Sequence, residues 1–170
     1  MKRRFPRTVD EFMRCAWAME AEAAERYAEL AEQMTMHHND EVADLFARLA
    51  VIEGKHRDQI MARMGWSSPP DVDCLRWETP EGPETTDYAE LHYLMRPWHA
   101  LKLAEFNERR AAGFFEHLAE ARVPAEVREA ALEMAAEERE HVRLIEDWLA
   151  RVPAPEPGWD EDLDPPAVVD

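Results

Sequence analysis

The sequence predicts an all-α fold, a four-helix bundle with one long crossover between helices two and three. Three observations predict it. Glycine is scarce, 5 residues in 170, while the strong helix formers Ala, Glu, Leu, Met and Arg are abundant. Apolar residues recur at spacings of three and four over four stretches of roughly 25 residues each. Most of the 12 prolines fall in a few clusters that separate those stretches.

The first helix runs from about Thr8 to Met36, with Thr8 and Glu11 as a capping-box pair. His37 to Asp40 makes a short turn, and the second helix runs from about Asp40 to Met64, with Gly65 standing where a helix ends. The segment from Trp66 to Arg96 is rich in Pro and acidic residues and long for a link inside one domain, with room for a short helix near Asp87–Leu94. Pro97 suits the first position of a third helix reaching Arg122, and Pro124 suits the same position of a fourth that ends near Arg151. Short links make helices one and two, and three and four, antiparallel neighbours, while the long segment returns the chain along the bundle. The bundle then occupies residues 1–151, with its crossover at 65–96, and residues 152–170 read as a Pro-rich, acidic, flexible tail.

Composition narrows the function. Lys and Arg number 20 against 37 Asp and Glu, a formal charge of -17 that repels nucleic-acid phosphates and anionic lipid surfaces. No window approaches the ~20 apolar residues of a membrane span. Cys15 and Cys74 have no paired spacing, which excludes a four-thiolate metal site and a disulfide framework. The reading is a soluble cytoplasmic protein with neither a nucleic acid nor a membrane as partner.

The chain also repeats itself. Met19 to Glu32 aligns without gaps on Asn107 to Glu120, so that Glu20 matches Glu108, Tyr27 matches Phe115 and Leu30 matches Leu118. Downstream in each half lies a Glu-x-x-His, Glu53 with His56 and Glu138 with His141. One such motif arises about once by chance in a chain of this composition, so placement carries the argument. The inward stripe of helix one reads Met13, Ala16, Glu20, Ala23, Tyr27, Leu30, Met34, and that of helix two Val42, Leu45, Leu49, Glu53, His56, Ile60. Helix three gives Leu94, Trp98, Leu101, Glu108, Phe115, Leu118, and helix four Met134, Glu138, His141, Ile145, Trp148. Every helix thus puts a carboxylate inside, and one unpaired carboxylate in a core already costs several kcal/mol. No Lys or Arg sits in the stripes at that level. Two divalent ions would balance four carboxylates, and two neutral imidazoles add nitrogen donors suited to iron or manganese. The i, i+3 spacing aims each Glu and His at one point.

Glu20 with Tyr27 seven residues on, Glu53-x-x-His56, Glu108 and Glu138-x-x-His141 together resemble the rubrerythrin branch of the ferritin-like di-iron superfamily, over roughly Thr8–Met64 and Pro97–Arg151. The resemblance implies a ferritin-like bundle in which Glu20 and Glu108 are terminal ligands, Glu53 and Glu138 bridge the metals, and His56 and His141 bind one metal each. It implies two iron ions as cofactor, with manganese or zinc as stand-ins in a purified sample, and Glu53, Glu138 and Tyr27 as catalytic residues. Tyr27 reads equally as a core tyrosine and as a partner of a ligating carboxylate. The implied activity is reduction of hydrogen peroxide, with oxygen-driven ferroxidase action as runner-up, in a homo-oligomer such as a dimer.

The sequence departs from that family in two ways. It carries no four-cysteine rubredoxin segment, so electrons are expected from an external, rubredoxin-like donor. Phe115 replaces the second tyrosine, and Glu105, a turn before Glu108, is the candidate for the extra helix-three glutamate that swings onto a metal in rubrerythrins. From a different class, an iron-binding or storage partner would dock through the tail, with Leu163 and Val168-Val169, on a carrier or shell. His37, His38, His92, His99 and His117 read as surface or cap residues, and Cys15 as a packing thiol.

Overall fold

Helix starts are fixed by local hydrogen bonding. In the computed structural model, which describes residues 5–72 and 92–162, Thr8 is extended and its Oγ1 accepts the Glu11 amide at 3.1 Å, capping α1 (Val9–Met36). The Glu11 carboxylate takes the Arg7 amide at 2.7 Å, so the returning arm of the box closes on Arg7. Asn39 caps α2 (Asp40–Met64) through its Oδ1. Its Nδ2 donates to the Tyr93 and Met95 carbonyls at 3.2 and 2.7 Å, tying the end of the crossover to the α1–α2 turn. Gly65 ends α2 at φ 68°, a left-handed conformation that costs a residue with a Cβ about 1 kcal/mol.

Pro97 opens α3 (Pro97–Glu120), where the Arg96 amide donates to His99 Nδ1 at 3.0 Å. The fourth helix, α4 (Ala125–Leu149), starts one residue after Pro124, which is its N-cap, and ends two residues before Arg151. The expected short helix near Asp87–Leu94 falls largely outside the described residues, as does Cys74, and Tyr93 and Leu94 form a turn.

The architecture is an all-α, ferritin-like four-helix bundle with no strand among the described residues. The α1–α2 and α3–α4 hairpins are the closest pairs, and they meet through α1 on α4 and α2 on α3. Inside the bundle are two apolar cores. One gathers Phe12, Met13, Met19, Ile60, Phe115, Leu118 and Met134, and the other Tyr27, Leu30, Met34, Phe46, Leu49, Leu101 and Ile145. On α2 the second core takes Phe46 in full, its ring stacked on Tyr27 with centroids 6.0 Å apart, and the expected Leu45 packs half-buried against it. No described helix is long and apolar enough to cross a membrane.

The first part of the tail, expected to be flexible, folds back on the second core. Val152 and Trp159 pack against that core, the Trp159 ring lies 3.8 Å from that of His99, and Tyr93 Oη donates to Asp162 at 2.6 Å. An indole is too apolar to leave in water when a core edge is within reach, a preference that outweighs the polar composition around it. Leu163 and Val168-Val169 lie outside the described residues.

Candidate metal centre

On every helix the inward glutamate separates the two cores. Along α1, residues 12–19 belong to the first core and 27–34 to the second, with Glu20 between them. The same holds for Glu53 between Leu49 and Ile60, Glu108 between Ala104 and Ala111, and Glu138 between Ala135 and Ile145. The four carboxylates, 1%, 2%, 3% and 0% exposed in chain order, therefore form one polar layer between two dry ones. Fully burying a Leu or Phe stabilises by about 1.5–3 kcal/mol, less than the several kcal/mol that one uncompensated carboxylate costs. Such a layer needs positive charge.

The layer is built from two equivalent halves. His56 Nδ1 stands 3.8 Å from Glu20 Oε2 and 3.5 Å from Glu53 Oε2. His141 Nδ1 stands 3.2 Å from both Glu108 Oε2 and Glu138 Oε2. The imidazoles stack face to face, centroids 4.2 Å apart and 9° from parallel, so the halves meet at the histidines. Ligand atoms of Glu53, His56 and His141, and again those of Glu108, Glu138 and His141, lie within 4.8 Å of one another. Glu20 joins the first group through His56.

Electrostatics record the crowding. Burial and then the neighbouring Glu53 charge raise the Glu108 carboxyl well above its ordinary value. Burial alone would lower His141, but hydrogen bonds to Glu108 and Glu138 and their charge outweigh it and push the imidazole up to about 10. Both residues thus hold protons more tightly than in an unfolded chain. Glu53 Oε2, Glu138 Oε1 and His56 Nδ1 are buried without a hydrogen bond. Buried acceptors in that state call for an unseen partner, and a carboxylate–imidazole donor set fits divalent iron or manganese.

Glu105 does not join the layer. It is held by Lys102 and by Arg109, whose Nη2 lies 2.9 Å from Oε1. Burial would raise its carboxyl, yet these two cations hold it below the ordinary value. The candidate swinging glutamate is therefore buried, yet clamped by two cations of its own helix. Tyr27 is buried, and the Asn107 Nδ2 donates to its Oη at 3.4 Å.

Asn107 is the residue sequence reasoning missed. A signal was present, because the repeat pairs Asn107 with Met19 and Tyr27 with Phe115. Met19 and Phe115 share the first core, so an apolar pair in one half replaces a hydrogen-bonded pair in the other. His37, His38 and His117 are exposed, while His92 and His99 accept local amides and flank Trp159. Cys15 is buried, with its thiol on the Glu11 carbonyl.

A helical bundle that buries four carboxylates against two half-buried histidines in two matched halves belongs to the class of di-metal carboxylate proteins. The sequence matches the rubrerythrin family over residues 11–149, and the chain is a member of that family of di-iron carboxylate proteins. A similar crystal structure is that of an uncharacterised conserved protein from Magnetospirillum magnetotacticum MS-1. It is 36% identical, covers 88% of this chain and 98% of its own, and superposes with a TM-score of 0.62. No curated protein matches the sequence.

Proposed function

We propose that the chain is a di-iron peroxidase that reduces hydrogen peroxide to water. Glu20, Glu53 and His56, which lie together, would hold one iron and Glu108, Glu138 and His141 the other, with Glu53 and Glu138 the ligands that would serve both. The observation that carries this reading is the pair of equivalent half-sites with buried, unbonded acceptors between them. Bound as iron(II), the pair supplies the two electrons that, with two protons, convert one peroxide into two waters.

The protein's own residues do the rest. The two apolar cores exclude bulk water above and below the layer, which strengthens every charge interaction inside it. His141 must release its proton for metal to bind, so loading is coupled to pH. Tyr27 Oη accepts a hydrogen bond from Asn107, next in sequence to Glu108, which holds the phenol beside that ligand's helix.

Stopped-flow absorbance tests the reading on protein loaded with Fe(II) without oxygen. Peroxide is expected to oxidise the centre at least about tenfold faster than oxygen at equal concentration, a barrier difference of ~1.4 kcal/mol. A preference for oxygen would reassign the chain as a ferroxidase.

A further inference from the structure

Residues 152–162 form a strap over the edge of the second core, and Val152 and Trp159 are the side chains it packs there. Backbone bonds shape its turn, with the Trp159 amide on the Glu156 carbonyl and the Glu161 amide on that of Gly158, which stands at φ 80°. The Trp159 indole sits between two imidazoles. The His99 ring, from the first turn of α3, lies 3.8 Å away, and the His92 ring, from the end of the crossover, meets it edge to face at 5.3 Å. Tyr93 stacks on His92 and binds Asp162 of the strap.

Hydrogen bonding fixes the state of both rings. A backbone amide can only donate, so His92 Nδ1, which takes the Leu94 amide at 3.1 Å, and His99 Nδ1, which takes the Arg96 amide at 3.0 Å, carry no proton. Each ring is the neutral tautomer with its proton on Nε2. A further proton has only Nδ1 to go to, and there it displaces the amide. Protonation thus undoes two backbone bonds at the rings that hold Trp159. The charges facing His99 are mixed: burial is the largest influence and lowers it, the Arg96 backbone and the Asp160 charge raise it, and the charges of His92 and Arg96 lower it, with the net result below the ordinary 6.5. The Trp159 face also favours a cation, but two charged rings on either side of one indole repel each other. From α1, His37 lies 6.0 Å from Tyr93 and adds a third group that gains charge in acid. Trp148 and Leu149, which α4 packs against this core, carry no charge.

We propose that the strap is a pH-operated latch, closed while His92 and His99 are neutral and released as they take protons. Its hold is complete above the unfolded histidine value of 6.5 and is lost as pH falls below it, toward the lowered folded value of His99. Release lifts Val152 and Trp159 and bares the core edge at Trp148 and Leu149. Each proton that the open form binds in excess shifts the ratio of open to closed by up to about tenfold per pH unit. The latch stands apart from the peroxidase reading.

The test uses the full chain, zinc-loaded and metal-free, with fluorotryptophan at its six tryptophans and the Trp159 fluorine resonance assigned by its loss in Trp159→Phe. Between about pH 7.5 and about pH 5.5 the ratio of open to closed strap should rise at least about tenfold, read as movement of that resonance toward that of a free peptide of residues 152–162. His92→Asn/His99→Gln keeps both acceptors, because Asn takes the amide two residues on and Gln at this place in a first turn takes the amide before the helix. Neither side chain titrates, so the strap should stay closed throughout. Histidine ring spectra of the wild type provide a measurement without substitution: His99 should gain its proton in step with the movement of Trp159. A wild-type resonance that does not move, a transition that the double variant keeps, or a protonated His99 under a closed strap overturns the proposal. So does a transition that Asp162→Asn removes, which would assign the switch to the Tyr93–Asp162 bond, and one absent from the metal-free chain, which would assign it to loss of zinc.

Discussion

Glu138→Ala is expected to lower the metal bound per chain from two ions to one or fewer and to abolish peroxide reduction. Glu138 is fully buried, its Oε2 lies 3.2 Å from His141 and its Oε1 has no hydrogen bond, so both oxygens face the place where metal would sit. Losing a residue that merely orients a ligand lowers metal affinity by about 10–100-fold, and losing a shared ligand should exceed that. Glu53→Ala should behave alike, because Glu53 holds the equivalent place beside His56. The metal-free variants should still fold, since each removes one charge from a repelling cluster. Exposed Glu25 is the control, and Glu25→Ala should change activity less than twofold, a ~0.4 kcal/mol effect. Elemental analysis after anaerobic Fe(II) loading, with peroxide turnover on the same samples, checks this. Equal losses at Glu25 and Glu138 would mean that the inward face of these helices has been misassigned.

Helix phase is where this molecule is most legible from its sequence. The stripe through Met13, Ala16, Ala23, Leu30 and Met34 fixes which side of α1 faces inward, and Glu20 then has nowhere to point but the bundle axis. The stripes of α2 and α4 act in the same way, whereas at the start of α3 the expected Leu94 lies in a turn before the helix and Trp98 is half-buried, the core taking Met95 and Leu101; caps such as Thr8, Asn39 and Gly65 are local signals that need no tertiary information. The sequence pattern blurs where neighbours decide. Phe46 takes the deeper place beside half-buried Leu45 because Tyr27, 19 positions earlier, offers it a ring to stack on. Trp159 docks because His92 and His99 are brought to one end of the bundle by the crossover and by α3.

Glu105 shows the same limit inside a single helix. Spacing places it one turn from Glu108, yet long flexible cations at Lys102 and Arg109 reach it from the i−3 and i+4 positions, and a sequence does not say which rotamer wins. The Asn107–Tyr27 contact spans 80 positions and two helices, so only the mismatch between repeats hinted at it. Alternation of apolar and charged residues thus specifies the layer of ligands, whereas the groups that steer or clamp those ligands depend on how hairpins pack.

Removing metal should leave a chain that is more stable in mild acid than at neutral or basic pH, the reverse of ordinary acid denaturation. Glu108 has a raised folded pKa, from burial and then from the Glu53 charge, so its penalty is full above that value and is relieved as pH falls toward the ordinary 4.5. His141 is raised to about 10 by its two carboxylate partners against the pull of burial. Its stabilisation is complete below the unfolded value of 6.5 and is lost as pH rises through about 10. Both act in one direction, so the metal-free melting temperature should climb between about pH 9 and pH 6. Glu105 works oppositely, because its lowered pKa contributes stability that is lost only as pH falls below its ordinary 4.5, outside this window. Bound metal favours deprotonated ligands and adds about 2.7 kcal/mol at a free concentration 100 times the dissociation constant, so the gap between loaded and metal-free protein should narrow on acidification. Glu20→Gln/Glu108→Gln removes two of the four clustered charges and should raise metal-free stability at about pH 8 by roughly 1–3 kcal/mol, while abolishing the gain from metal. In a chain of this size each kcal/mol moves the melting temperature by about 2–4 °C. Anaerobic thermal melts across that pH range, with and without Fe(II) or Mn(II), measure both effects. A metal-free wild type that melts no lower than the double variant would show that Glu20 and Glu108 do not repel one another across a shared buried layer.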